Sequence, residues 1–481
     1  MEENKKLQFY GGEWMSFLPF VIFLVLIVCT TFLWGSISDG ALWLPAFLAL
    51  IVTFFFAKNK RHYADAIIEG MASKEAIIPV VCWLFAGVFS RILRMSGLAN
   101  AIAGVASGLG VGSITFTVIT FLASALFATA SGTGFGTIAA AMGVLYPAGV
   151  ALGCHPALLA GIIISGAAFG DNLAPVSDTT ICSATSQGVD VPGVVRSRLK
   201  YSAVAATVTI LITIVLGFTL GGGAGTVSAG YTYDPMALLM LVAVIITIYA
   251  AIKTGDIIIA TTIGSVAASF IGVVTKQFDF FQMDPVNPVL NALIRVSGEG
   301  LDRTVDGIIY NGLASMLQVC ILALLLFGSI SIMRAGGGDV KLLNALGKVA
   351  KTARGAELVI SFMVIILSAI MGLNAPAILA VGASFAKPLS EKYGFTGYRA
   401  ANLLDAQSNT LCYAVPWSPA IIYTIGFAAG TDAPLRAIEI TPFVIYGYVL
   451  MVVMFASIFL GIGRNDGREK LAKAAAAKQG K

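Results

Sequence analysis

Long apolar runs recur from one end of this chain to the other. They lie near residues 17–35, 41–57, 76–94, 113–130, 134–150, 157–181 and 201–221, then near 236–252, 257–275, 309–333, 356–374, 376–389, 400–429 and 441–463. Many approach or exceed the roughly 20 residues a helix needs to cross the hydrocarbon core of a bilayer. Inside lipid every backbone polar group must be paired within the protein, which restricts spanning segments of this length to helices. The expectation is an all-α polytopic membrane protein with roughly 10–14 membrane segments. Composition leaves no room for a sizeable soluble domain: 58% of residues are hydrophobic and only 11% charged, against about 25% charged in soluble chains. The lipid bilayer is therefore the first partner. The net charge of +5 sits in short loops and implies no nucleic acid. The six cysteines form no C-x-x-C pair and read as core or near-site thiols. The N-terminus, with Lys5 and Lys6 before an apolar run and no small-residue cleavage site, reads as a retained signal anchor.

The chain repeats itself. Asp65-Ala-Ile-Ile-Glu-Gly-Met-Ala-Ser73 recurs as Asp306-Gly-Ile-Ile-Tyr-Asn-Gly-Leu-Ala-Ser315 with one insertion, and Phe85 through Arg94 recurs as Phe327 through Arg334. The glycine-rich segment after Ser131 ends at Pro147, and its partner around Asn374 ends at Pro388. These matches divide the chain into an N-terminal repeat (1–221), a glycine-rich linker (222–235), a C-terminal repeat (236–463) and a basic tail (464–481). Most of the 30 Lys and Arg fall on one side if every segment crosses. The groups are Lys58/Lys60/Arg61/Lys74, Arg196/Arg198/Lys200, Lys341/Lys348/Lys351/Arg354 and the tail. The positive-inside rule then places both termini in the cytoplasm of a cell (inner) membrane. Each half has an odd number of crossings, so the two repeats are inverted, an arrangement common in secondary transporters. The short segments 134–150 and 376–389 either span or re-enter.

One stretch is too polar for its surroundings. After the apolar run 157–168 comes Phe169-Gly-Asp-Asn-Leu-Ala-Pro-Val-Ser-Asp-Thr-Thr180. It sets Asp171, Asn172, Ser177, Asp178, Thr179 and Thr180 around a helix-breaking Pro175 at membrane depth. Ionisable groups there mark ion or proton pathways by default. Its counterpart in the second half is Leu404 through Pro419, with Asp405, Asn409, Thr410 and Ser418. Ser131-Gly-Thr-Gly-Phe-Gly-Thr137 and Gly372-Leu-Asn374 complete the set, with Thr133, Thr137 and Asn374 as candidate lining residues. Proline and glycine free backbone carbonyls, which together with carboxylate and hydroxyl oxygens replace the water around a small hard cation. Desolvation favours the protonated carboxylate and a bound cation the ionised one. Proton and cation then compete for one group, which is the logic of an exchanger. The blander alternatives are a close helix-packing surface for 131–137, an N-cap role for Asp178, surface charge for Asp65 and Glu69, and a turn residue at His155.

Gly170-Asp-Asn-Leu-Ala-Pro-Val-Ser-Asp-Thr-Thr180 resembles the Gly-Asp-Lys-x-Ser-Pro-x-Ser-Asp-Thr-Thr signature of the NhaC-type sodium/proton antiporter family. Ala414-Val-Pro-Trp-Ser-Pro419 is similar to the Pro-Trp motif of that family's second half, and residues 131–137 to its Gly-Thr-rich segment. Asn172 stands where the signature has Lys, Ala174 where it has Ser, and Ser418 follows Trp417 where Asn is expected. The resemblance implies a bacterial antiporter of inverted repeats, within a group of ion transporters that also carry organic anions. The expected activity is Na⁺/H⁺ antiport by alternating access, with Na⁺ and H⁺ as transported ions and no cofactor. Asp171 and Asp178 are the expected carriers of cation and proton, with Ser177, Thr179, Thr180 and Asp405 as further ligands. Thr133, Thr137, Asn172, Asn374, Asn409, Thr410 and Ser418 are expected to line the substrate site. The alternative is a coupled transporter of a small organic carboxylate or amino acid. No Ser–His or HExxH arrangement supports an enzyme. Glycine and aromatic stripes on lipid faces are compatible with a monomer or a homodimer.

Overall fold

The computed structural model describes residues 6–29, 40–175, 177–220, 234–254, 256–283, 291–298, 300–338, 340–341 and 350–466. The linker 222–235 and the tail 464–481 lie mostly outside the described residues. The first half contains α1 (Leu18–Val28), α2 (Gly40–Phe56), α3 (Lys60–Met71), α4 (Lys74–Met95), α5 (Leu98–Gly108), α6 (Ser113–Ser131), α7 (Gly134–Ala151), α8 (Pro156–Leu173), α9 (Asp178–Gln187) and α10 (Val191–Thr219). The second contains α11 (Met240–Thr254), α12 (Ile257–Val274), α13 (Ile308–Ala335), α14 (Ala353–Met371), α15 (Asn374–Val381) and α16 (Lys387–Tyr393). It continues with α17 (Gly397–Ser408), α18 (Leu411–Ala414), α19 (Pro419–Ala428), α20 (Ala437–Ile440) and α21 (Ile445–Leu460). Among the described residues seven helices are long and apolar enough to cross a membrane, eight with the bent pair Ala437–Phe443 and Ile445–Leu460. Five of the six shorter apolar helices of 10–17 residues fall on other expected segments; the sixth, Leu98–Gly108, matches no expected segment, and the expected segment 376–389 is instead split between Asn374–Val381, a π-helical turn and Lys387–Tyr393.

The helix starts follow local capping chemistry. Ser73, Thr133, Asp190, Thr352, Thr396 and Ser418 each accept a backbone N–H of the helix they precede, satisfying one of the donors that a first turn leaves unpaired. His155 does the same through Nδ1 for Leu158 N–H at 3.3 Å, with Pro156 opening α8. It is a turn residue, as its position before proline suggests. Helix α3 is the amphipathic segment at 60–71, and its Arg61–Asp65 pair at 3.7 Å is solvent-facing.

The two halves share one device. Helix α6 ends on Gly132 with φ 71°, and α14 ends on Gly372 with φ 64°. Both glycines take the left-handed conformation that glycine adopts without steric cost, and α7 and α15 begin two residues later. Each half then carries a helix broken at the polar stretch: α8 and α9 flank residues 174–177, while α17, α18 and α19 flank 409–410 and 415–418. Pro156–Gln187 still qualifies as one span of 32 residues, and 94% of its apolar window is buried, so this broken helix is the axis of the bundle. The copies differ beyond that point. Helix α7 runs unbroken for 18 residues, whereas α15 gives way after eight to a π-helical turn, Gly382–Ala386. The carbonyl of Gly382 accepts Gln187 Nε2–H from the other half at 3.0 Å.

Two features depart from the expected architecture. The structure is mostly helical rather than all-helical: between α12 and α13 lies a three-stranded sheet, β1 (Asp279–Met283), β2 (Ala292–Ser297) and β3 (Thr304–Asp306). Strand β1 runs parallel to β2, and β2 antiparallel to β3, with Arg295 opposite Asp306. These strands carry no apolar run of membrane length, so the pattern that marks spans passes over them. Arg198, expected in a cytoplasmic loop, is instead fully buried in the second turn of α10. Its helix starts at Val191, and the buried face Val194, Arg198, Tyr201, Ser202, Ala205, Thr209, Thr213 and Gly217 carries it inward. A second buried charge cluster closes the bundle elsewhere. Glu357 on α14 meets Arg399 Nε at 2.8 Å and Arg464 Nη2 at 2.7 Å.

Candidate functional site

Pro175 cannot donate the hydrogen bond that would continue α8. The Asp171 carbonyl instead accepts Ala174 N–H at 3.2 Å, and Ser177 N–H turns back onto the Ala174 carbonyl at 3.3 Å before α9 begins at Asp178. The break sets Asp171 and Asp178 on its two sides. The Asp171 carboxylate is buried; Ser177 Oγ donates to its Oδ1 at 2.9 Å and Tyr413 Oη to its Oδ2 at 3.1 Å. Ser177 and Thr179 hydroxyls are 2.9 Å apart. Asp178 accepts Thr179 N–H at 2.8 Å, so part of its role is to cap α9, but from the first helical position rather than the N-cap, which is Ser177.

Asp405, in the last turn of α17, comes from the other half and faces α9. It pairs with Arg198 Nη1 at 2.5 Å, and Asn409 Nδ2 and Ser183 Oγ donate to it at 2.9 and 3.3 Å. Arg198 also donates to the Asn172 carbonyl at 2.5 Å, to Asn172 Oδ1 at 3.2 Å and to Thr180 Oγ1 at 3.3 Å. Asn172 Nδ2 in turn donates to Ser202 and Tyr446. Asn374, at the start of α15, donates to Asn409 Oδ1 at 2.7 Å and accepts Cys412 Sγ–H. The polar breaks of both halves thus form one buried network. Arg198 Nη2 and both amide atoms of Gln407 are buried within the protein with no protein partner among the described residues.

A cavity of about 770 Å³ opens beside this network. Asp178 and Thr133 line it, together with Lys74, Ile78, Cys82, Phe135, Cys182, Arg334, Pro376, Leu379 and Tyr423. The first turns of α7 and α15 both border it. Phe135 connects cavity and carboxylate: its ring stacks on Tyr413 at 5.4 Å between centroids, and the Tyr413 hydroxyl bonds Asp171. Of the expected residues, Asp178 and Thr133 reach the cavity. Asp171, Ser177, Thr179, Thr180, Asn172, Asp405, Asn374 and Asn409 form the buried network. Thr137 and Thr410 bond to backbone carbonyls one turn back, and Ser418 caps α19.

Sequence reasoning missed Arg198, Tyr413, Phe135 and the cavity cations Lys74 and Arg334. Arg198 had a legible signal, since it lies on a small-residue stripe that starts at a Pro192-marked helix. Tyr413 follows the second polar stretch directly. The other three become neighbours only through folding.

The profile of the Na⁺/H⁺ antiporter family matches residues 12–218 and again 219–462. The Na⁺/H⁺ antiporter NhaC of Alkalihalophilus pseudofirmus is 23% identical over 440 residues, 88% of this chain and 91% of the relative. A malate-2H⁺/Na⁺-lactate antiporter of Bacillus subtilis is 24% identical over 328 residues, 62% of this chain and 68% of the relative. An arginine/ornithine antiporter, ArcD, of Halobacterium salinarum is 25% identical over 301 residues, 59% of each chain. Among solved structures, the YdaH transporter of Alcanivorax borkumensis aligns with a TM-score of 0.39 at 14% identity, covering 94% of this chain and 99% of that one. MtrF of Neisseria gonorrhoeae aligns with a TM-score of 0.40 at 11% identity, covering 92% and 96%. With the profile spanning both halves, this multi-pass membrane protein belongs to the Na⁺/H⁺ antiporter family.

Proposed function

We propose that the protein exchanges Na⁺ for H⁺ by alternating access, with Asp171 and Asp178 as the groups that alternately hold cation and proton. One observation carries this reading. Of the three carboxylates at the helix breaks, Asp405 has its charge met by Arg198, whereas neither Asp171 nor Asp178 has an ion-pair partner among the described residues. The Ser177 hydroxyl bonds Asp171 and lies 2.9 Å from the hydroxyl of Thr179, whose own backbone N–H is held by Asp178. A cation entering from the cavity meets Asp178 first and then a cluster of carboxylate and hydroxyl oxygens of the kind that replaces a hydration shell. Binding releases the proton, and reprotonation from the other side releases the cation. Each net charge moved is worth about 2.3 kcal/mol per 100 mV.

The positive-inside bias supports cytoplasmic termini. The cavity, with Lys74 and Arg334 at its wall, then opens to the cytoplasm. A reporter fused after the tail is expected inside the cell.

The test is a proton-flux assay in proteoliposomes, with an imposed pH gradient and Na⁺, Li⁺ or K⁺ added in turn. Na⁺ or Li⁺ is expected to collapse the gradient, and Asp178→Asn and Asp171→Asn to abolish that response while the protein still inserts. Near-normal exchange in either variant removes that residue from the carrier pair.

A further inference from the structure

We propose that the cavity beside Asp178 binds an organic monocarboxylate with an apolar body, loaded together with the cation or proton that Asp178 carries. This inference rests on the reading of Asp178 as a carrier and adds the class of solute that shares its site. Three features of the cavity point the same way.

The first is size. A dehydrated monovalent cation fills one cluster of oxygens, whereas a volume of about 770 Å³ lies in the range of small-molecule sites, roughly 300–1,000 Å³. The second is charge. Lys74 and Arg334 line the wall, and neither has an ion-pair partner among the described residues. Two cations along the route of a transported cation oppose its entry, and they equally oppose a cationic amino acid. They favour a carboxylate, which an arginine fork binds well. Once Asp178 holds a cation or proton, the cavity is left positive, so loading of the two cargoes is mutually supportive. The uncapped first turn of α15, whose N-cap position is Leu373, adds to the positive field. The third is the wall itself. Ile78, Phe135, Pro376, Leu379 and Tyr423 present apolar surface. Against this part of the wall, away from Lys74, Arg334 and Thr133, a second carboxylate or a chain of hydroxyls would be desolvated without partners, so the body of the solute is aromatic or branched aliphatic.

Phe135 gives this solute a way to influence the proton. A body packed on the cavity side of that ring is separated by one stacked tyrosine from the Asp171 carboxylate.

The cavity carries its own probes. Cys82 and Cys182 line it, and both are free thiols of intermediate exposure. The full chain in proteoliposomes is treated with a membrane-permeant maleimide in Na⁺ buffer, and alkylation of each cysteine is followed by mass spectrometry. Phenylacetate, indole-3-acetate and 4-methyl-2-oxopentanoate are compared with malate and arginine. The apolar monocarboxylates are expected to slow alkylation at both cysteines several-fold, and malate and arginine to leave it unchanged. Arg334→Gln is expected to raise the half-protecting concentration about tenfold, the size of one lost charge-assisted hydrogen bond, and Arg334→Lys to recover most of it. Arg334 is solvent-exposed, so these variants keep the fold. Equal protection by malate, protection by arginine, no protection by any carboxylate, or indifference to Arg334→Gln each overturns the inference. The readout is independent of ion exchange. Lost protection with intact Na⁺-driven proton flux rejects the solute alone, and protection without such flux rejects the carrier reading alone.

Discussion

Arg198 closes a 2.5 Å ion pair on Asp405 across the two halves of the chain, and neither side chain reaches solvent. The same guanidinium lies 3.2 Å from Asn172 Oδ1, the position at which the resembling signature carries lysine. A positive charge is therefore present beside the first helix break although residue 172 is neutral, supplied from α10 rather than α8.

That pair sets a stability prediction. Removing one member leaves the other charged and buried, which costs about 3–5 kcal/mol. Arg198→Met and Asp405→Leu are each expected to lower the unfolding temperature in detergent sharply, and the double variant to recover most of the loss. A single variant that melts like the parent contradicts the buried pairing.

Tyr413 and Gly134 make a second, linked pair of tests. A Cβ on Gly134 would overlap the Tyr413 hydroxyl and crowd Asp171 Cβ at 3.3 Å. Gly134→Ala is expected to push the phenol off Asp171, and Tyr413→Phe to remove the same hydrogen bond while keeping the stack on Phe135. A hydrogen bond to a carboxylate is worth about 1.5–3 kcal/mol, or roughly tenfold or more. Both variants should therefore shift the Na⁺ half-saturation of proton flux by about that factor and in the same direction. Opposite shifts would show that the hydroxyl does not act through Asp171.

The hairpin tips are expected to tolerate no side chain. Gly132→Ala and Gly372→Ala place Cβ in the left-handed region, at about 1–2 kcal/mol each. At Gly372 the new carbon also lies 2.8 Å from Pro419 Cδ, a steric cost on top of the backbone one. Thermal unfolding in detergent checks both variants, and a Gly372→Ala protein as stable as the parent refutes the expectation.

On the sheet outside the helical spans, Arg295 holds Asp306 through two hydrogen bonds of 2.7 and 2.6 Å. The pairing lowers the Asp306 carboxyl below its ordinary value. A lowered folded pKa contributes stability above the unfolded value near 3.9, and the contribution is lost as pH falls through the folded one. The pair lies at the protein surface with its side chains 17% and 25% exposed, so Asp306→Asn should cost about 1 kcal/mol at neutral pH. The difference in melting temperature from the parent should shrink below about pH 4. A difference that grows on acidification would rule out this sign.

Much of the bundle was legible in the chain because its determinants are local. Apolar length marks a span wherever it occurs. Pro175 and the polar residues around it mark a broken helix without reference to anything distant. The match of Phe85–Arg94 with Phe327–Arg334 shows duplication by itself, and the left-handed glycines 132 and 372 repeat the same turn in each half. The sheet at 279–306 was not legible, because short strands beside long apolar helices leave no pattern of comparable strength.

The sequence by itself determined the membrane class, the two copies and the two polar breaks, since each follows from residues within a turn or two of one another. Only the tertiary structure decided which carboxylate is neutralised by a cation and which two are not, and that Lys74, Arg334 and Asp178 share one cavity. The reason is physical: a buried charge is defined by what replaces its water. For Asp405 that is Arg198 on another helix in the other half of the chain, a neighbour that no local pattern encodes.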